Sequence, residues 1–137
     1  MAGRWLFKTE PGAYSFDQLE RDGRTVWDGV KNALALRHLA DVAKGDEVLI
    51  YHTGDEKAVV GIARAARGAY PDPKAKDRRL LAVDLEPVRR LTRAVPLAEL
   101  RADPKLAGFV LLRLQRLSVM PVSAAQWSEI LQTAAKK

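Results

Sequence analysis

Two strand-like runs, Glu47-Val48-Leu49-Ile50-Tyr51-His52 and Val59-Val60-Gly61-Ile62-Ala63-Arg64-Ala65, are separated only by Thr53-Gly54-Asp55-Glu56-Lys57. A polar connection that short joins neighbouring strands as a hairpin, so this stretch commits the chain to an antiparallel pair. Gly61, inside the second run, marks a bulge or a close approach of backbone. Other runs add strands around this pair. Trp5 to Lys8 reads as a first strand stopped by Glu10-Pro11-Gly12, and Val26-Trp27 is a brief extended piece before Asp28-Gly29. Leu81, Val83 and Leu85 alternate with Ala82, Asp84 and Glu86, and that strand continues past Pro87 to Leu91. Phe109 to Leu112 and Leu117 to Val122 also read as extended.

Helices are few and have clear starts. Ser15 and Gln18 fit a capping box that opens a short helix through about Arg21, ended by Gly23. Asn32 is an N-cap for a second helix, with Leu36, Leu39, Ala40 and Ala43 at helical spacing, Lys44 in the last turn and Gly45 as the stop. Pro96 to Leu100 is a helical turn. Ser123 and Gln126 repeat the capping box before the stripe Trp127, Ile130, Leu131 and Ala134. The alternating βα pattern of a parallel sheet is missing. The expected fold class is α+β: a small, mixed, partly closed barrel of five to six strands flanked by helices. With 137 residues and no linker or repeat, one domain is expected over residues 1–137.

Composition removes several classes of function. There is no cysteine, which excludes disulfides, thiol catalysis and thiolate metal sites and fits a cytoplasmic protein. Two histidines without metal-ligand spacing argue against a structural metal. No apolar run approaches the ~20 residues of a membrane span, and Met1 to Trp5 does not resemble a signal peptide. Neither a membrane partner nor a cofactor is expected. Lys and Arg number 23 against 17 Asp and Glu, an excess that favours polyanions such as nucleic acid. Many mildly basic proteins bind nothing charged, so the excess alone decides little.

Catalytic motifs are absent: no G-x-S-x-G elbow, no phosphate-binding loop, no dinucleotide fingerprint. Asp84 and Glu86 could imitate a carboxylate pair, but they read better as the polar face of a strand among Arg79, Arg89 and Arg90. His52 follows an apolar strand and adjoins Thr53. A histidine so placed is most often a hydrogen-bonded structural group, less often a donor to a ligand, and it has no evident nucleophile or orienting acid.

Aromatic residues are scarce, nine in all, so their placement carries information. Trp5 and Trp127 fall in strand and helix stripes and read as core. Trp27 instead adjoins the Asp28-Gly29 turn, where a ring can stay open to a groove. Flat aromatic faces stack on nucleobases for roughly 1–3 kcal/mol each. Asn32, Thr53 and Ser118 could then read a base edge while basic side chains hold phosphates.

Six segments carry a resemblance. Trp5-Leu6-Phe7-Lys8-Thr9-Glu10-Pro11, Trp27-Asp28-Gly29-Val30-Lys31-Asn32, Tyr51-His52-Thr53, Val60-Gly61-Ile62-Ala63, Tyr70-Pro71-Asp72-Pro73 and Arg116-Leu117-Ser118-Val119-Met120-Pro121 occur in this order. In that order and spacing the chain resembles EVE-domain proteins, a group that includes thymocyte nuclear protein relatives, from about Trp5 to Leu131. The resemblance implies a PUA-like fold. It also implies a relation to YTH domains, which hold a methylated adenine in an aromatic cage, and to proposed readers of modified cytosines. By that comparison Trp27 is the cage wall and Lys8, Thr9 and Asn32 line the pocket. Tyr51, His52 and Thr53 form the facing strand end, and Arg116 and Ser118 the rim. The chain departs from the common family form V-R-N-Y-Q-A-R-N, because Asn32 is followed by Ala33-Leu34-Ala35-Leu36.

The expected function is therefore non-catalytic binding of a modified base in DNA or RNA, flipped from the stack or taken from a single strand, by a monomer. Trp27 stacks, Asn32, Thr53 and Ser118 read edges, and Lys8, Arg116 and the Lys74 to Arg79 loop contact phosphate. Two rivals are a small hydrolase or transferase using His52 and a protein-interaction module whose basic face is incidental.

Overall fold

Residues 3–136, those described by the computed structural model, build one mixed sheet with helices packed on it. In chain order the elements are β1 (Arg4–Thr9), α1 (Phe16–Asp22), β2 (Thr25–Trp27), α2 (Ala33–Ala40), β3 (Glu47–His52), β4 (Ala58–Ala65) and β5 (Tyr70–Pro71). They continue with β6 (Leu81–Pro96), α3 (Leu97–Ala102), a 3-10 turn at Pro104–Leu106, α4 (Val110–Arg113), β7 (Val119–Pro121) and α5 (Ala124–Ala135). The strand order is β2-β6-β4-β3-β1-β7, with two-residue β5 paired to β6. β1 and β3 run parallel and the other pairs are antiparallel. β2 and β7 are the two ends, so the sheet curls into a half-barrel without closing.

The expected hairpin is β3–β4. Val48 to His52 are all buried, as are Ala58 to Ala63, because both strands are covered on both faces. Gly61 is a bulge and a close approach at once. Register shifts occur at Ile50/Tyr51 on the β3 side and at Val59/Gly61 on the β6 side. A Cβ on Gly61 would lie 2.5 Å from Cε1 and Cζ of Phe16, so only glycine lets this ring lie on the strand.

Both capping boxes form: Ser15 with Gln18 opens α1, and Ser123 with Gln126 opens α5. Gly23 ends α1 at φ 73, and Trp127, Ile130 and Ala134 make the buried stripe of α5.

Four expectations need correction. α2 starts at Asn32 but ends at Ala40 rather than near Gly45. The cause is Asp46, which is buried and accepts from the amides of Gly3 (2.8 Å) and Ala43 (2.9 Å) and from the Trp5 indole (2.9 Å). Those bonds draw residues 41–46 into a turn instead of a last helical turn. Phe109 to Leu112 is not extended: α4 occupies Val110–Arg113, with Leu114 N–H bonded to the Val110 carbonyl at 2.8 Å. Its apolar run is too short for periodicity to separate strand from helix. β6 runs to Pro96, beyond Leu91, because its far half pairs with Ala58 and Val59 of β4. Within it, Asp84 is buried with the Tyr70 hydroxyl and Arg24 (3.2 Å) as partners, rather than among Arg79, Arg89 and Arg90.

Candidate functional site

β2 brings Trp27 to the end of the sheet, where, among the described residues, only β6 pairs with it. The Asp28-Gly29 turn follows, with Gly29 at φ 78, and Val30 is tucked into the core. The turn thus pins Trp27 on one side and Asn32 on the other. The half-buried indole rests on Phe7, ring centroids 5.8 Å apart and tilted by 48°. Tyr14 meets it at 6.2 Å and 87°, making a two-walled aromatic corner. A cavity of about 180 Å³ opens there, lined by Tyr14, Thr25, Val26, Trp27 and Asp28.

Tyr14 was not singled out in the sequence, where it reads as part of the turn before Ser15. Its position is nonetheless well fixed. The Thr9 hydroxyl donates to the Tyr14 carbonyl at 2.7 Å, and the Tyr14 hydroxyl donates to Asp22 at 2.7 Å. Burial raises the Tyr14 pKa, and Thr25 opposes that shift. Its place just before the N-cap, where a residue packs back on the helix entry, is the one signal that could have found it.

The expected pocket residues do not converge on this corner. Successive strand residues alternate faces, and Phe7 and Lys8 are successive. Phe7 faces Trp27, so Lys8 points the other way, its ammonium 5.8 Å over the ring of Tyr51, its register partner on β3. Lys8, Tyr51 and Thr53 line a separate cavity of about 220 Å³ with Lys57, Arg101 and Gln115. The Lys8 ammonium donates to the Gln115 carbonyl at 2.6 Å, and burial lowers its pKa.

Thr9 and His52, paired across the same strands, face α1. His52 is buried, accepts from Phe16 N–H at Nε2 (3.0 Å) and lies 2.8 Å from Glu56 through Nδ1. Both ring nitrogens are thus engaged inside the protein. His52 is a structural residue here, and the expectation of a ligand donor is corrected accordingly. Asn32 accepts Ala35 N–H at 3.0 Å as the α2 cap, which leaves only its NH₂ to face outward. Ser118 gives its carbonyl to Lys8 N–H at 2.9 Å and joins β7 to β1. Arg116 and Asn32 meet in a third cavity of about 340 Å³ with Leu34 and Arg113.

Charge is arranged around the Trp27 to Asn32 turn. Arg113 and Arg116 lie on one side of Asn32, and Lys31 and Arg79 share a cleft with Ala33 and Leu36 on the other. Lys74, Lys76 and Arg78 are exposed on the β5–β6 loop that carries Arg79. Asp77 pairs with Arg79 at 2.9 Å, lowering the Asp77 pKa through that bond and holding the loop in shape.

Comparison with known proteins points in one direction. The family model described as "EVE domain" matches residues 3–133. Human thymocyte nuclear protein 1 is 28% identical over 171 aligned positions, spanning 100% of this chain and 76% of its own. The crystal structure of the human protein in complex with DNA containing 5-methylcytosine matches with a TM-score of 0.91 at 28% identity, covering 99% of both chains. A protein from Rhodopseudomonas palustris, solved by NMR, matches with a TM-score of 0.92 at 36% identity, over 97% of this chain and 93% of its own.

Proposed function

The chain belongs to the EVE domain family, and from that premise we propose that it binds a modified base in nucleic acid without altering it, with 5-methylcytosine in DNA as the first guest to test. The observation that carries this reading is the match, over 99% of both chains, to a relative solved in complex with DNA containing 5-methylcytosine. The Tyr14–Trp27 corner is where the base sits. Its two rings stand near a right angle, so one supplies a stacking face and the other an edge. Asp28 and Thr25 line the same cavity, and a carboxylate there accepts from an exocyclic amine such as cytosine N4. The cations on both sides of Asn32 take the strand's phosphates, which position the chain without reading sequence.

The base must leave its stack or come from a single strand to reach this corner. A methyl group in a fitted apolar pocket is worth about 1–3 kcal/mol, roughly 10- to 200-fold in affinity. Tryptophan fluorescence titration with 5-methylcytosine, 5-hydroxymethylcytosine and unmodified oligonucleotides tests the reading. One modified strand is expected to bind about tenfold tighter or more than its twin, with log affinity falling by about 0.7–0.9 per phosphate contact as log salt rises. Equal affinities across the panel would overturn it.

A further inference from the structure

The cavity behind β1 is unlike the aromatic corner in its chemistry. Three cations, Lys8, Lys57 and Arg101, line it, and among the described residues no carboxylate does. Arg24, Arg79, Arg90 and Arg93 each pair with a carboxylate, whereas these three form no ion pair among the described residues. Glu10, beside Gly54, is engaged by the Gly12 amide, and Asp55 and Glu56 lie in an adjoining cleft that Lys57 and Arg101 also line, without forming an ion pair with either among the described residues. Converging unpaired cations repel one another, so the fold holds together an arrangement that an anion would relieve.

Two further observations point into the same space. Tyr51 is 3% exposed as a residue and lines the cavity, and its hydroxyl is not a sealed orphan but stays accessible from that space. Burial raises its pKa, and the charge of Arg101, which lines the same cavity, pulls the other way. Lys57 is the one residue other than glycine with positive φ among the described residues, at 47°. Leu97 N–H holds the Lys57 carbonyl at 2.7 Å in that left-handed turn, and such strain persists where surrounding structure enforces it. Leu97 and Leu111 supply the apolar part of the lining.

We propose that this cavity is an anion subsite that takes a phosphate group, with Arg101, Lys57 and Lys8 supplying charge and the Tyr51 hydroxyl supplying a hydrogen bond, while the Thr53 hydroxyl on the cavity wall donates to the Thr9 carbonyl at 3.4 Å. Lying on the other face of β1 from Trp27, it is separate from the base-binding corner and does not depend on which base that corner accepts. The phosphate comes either from the bound strand or from a free phosphorylated compound, since both present the same oxygens.

The test is amide-resolved NMR titration with inorganic phosphate and with an unmodified tetranucleotide bearing either a 5′-phosphate or a 5′-hydroxyl. Inorganic phosphate is expected to shift the amides of Thr53, Gly54 and Lys57 saturably. Arg101→Ala and Lys57→Gly are each expected to weaken that binding about tenfold, the loss of one charge-assisted hydrogen bond. Lys57→Gly also releases the strained φ, so it folds even if Arg101→Ala does not. The exposed-cation control Arg37→Ala is expected to change it little. A 5′-phosphate advantage that Lys57→Gly removes assigns the strand as the source. Equal binding of the two tetranucleotides, with phosphate still bound, assigns a free compound. Absence of saturable shifts, or an Arg37→Ala loss as large as the Arg101→Ala loss, would overturn the proposal.

Discussion

The backbone N–H of Phe16 donates to Nε2 of His52 across 3.0 Å, and Phe16 is the first residue of α1. The first amides of a helix have no partner within it, so His52 satisfies a buried donor that α1 cannot. Because Nε2 accepts, the ring proton sits on Nδ1 and is donated to Glu56. Replacing His52 by alanine leaves the Phe16 amide buried and unpaired, at a cost of about 1–3 kcal/mol. Chemical denaturation of His52→Ala is expected to show that loss, while the folded variant retains its affinity for a modified oligonucleotide. An unchanged stability together with abolished turnover of some substrate would instead favour a catalytic His52.

Gly61 and Phe16 offer an independent check on packing. A methyl group at residue 61 meets the ring at 2.5 Å, and overpacking of a filled core costs about 1–3 kcal/mol. Gly61→Ala is expected to lower the thermal midpoint, and adding Phe16→Leu to recover part of the loss. Purely additive losses would show that the ring is not the obstacle.

Tyr70 links stability to alkaline pH. Its hydroxyl donates to Asp84, and burial followed by that bond pushes its pKa up to about 12. A raised phenol favours the neutral form in the fold. This contribution is therefore complete below the unfolded value of about 10 and is lost as pH rises through about 12. Arg67, 3.8 Å over the ring, opposes the shift without cancelling it. Denaturation midpoints measured from about pH 9 to about pH 12 are expected to fall less steeply for Tyr70→Phe than for the unaltered chain. Identical slopes would contradict the link.

The secondary structure was legible wherever a local rule acts alone. Ser15 with Gln18 and Ser123 with Gln126 cap their helices as their spacing requires, and β3 runs over Glu47–His52. It was illegible where a distant group intervenes. Nothing near Ala40 says that the Asp46 carboxylate will take the Ala43 amide and end α2 early. The site divides in the same way. The Trp27 to Asn32 turn stood out because its ring has no place in a stripe. Tyr14, the second wall, did not, because its meeting with Trp27 depends on how α1 packs. Lys8 and Tyr51 were grouped with Trp27 along the sequence, but the two-residue period of β1 sends Lys8 to the opposite face from Phe7 and Trp27. Lys57 and Arg101 share the Lys8 cavity through β4, β6 and α3, a convergence that no spacing records.

The most direct measurement is the ratio of dissociation constants for a 5-methylcytosine oligonucleotide and its unmodified twin, in the unaltered chain and in Trp27→Ala. Trp27 is half-buried on a terminal strand, so the variant is expected to fold, with circular dichroism as the check. Stacking of a base on the ring is worth roughly 1–3 kcal/mol, and only a base seated in the corner loses it. The expected result is a large loss of affinity for the methylated strand, a small one for its twin, and a ratio that collapses toward one. Equal losses for both strands, with the ratio unchanged, would contradict the assignment of the Tyr14–Trp27 corner as the base site.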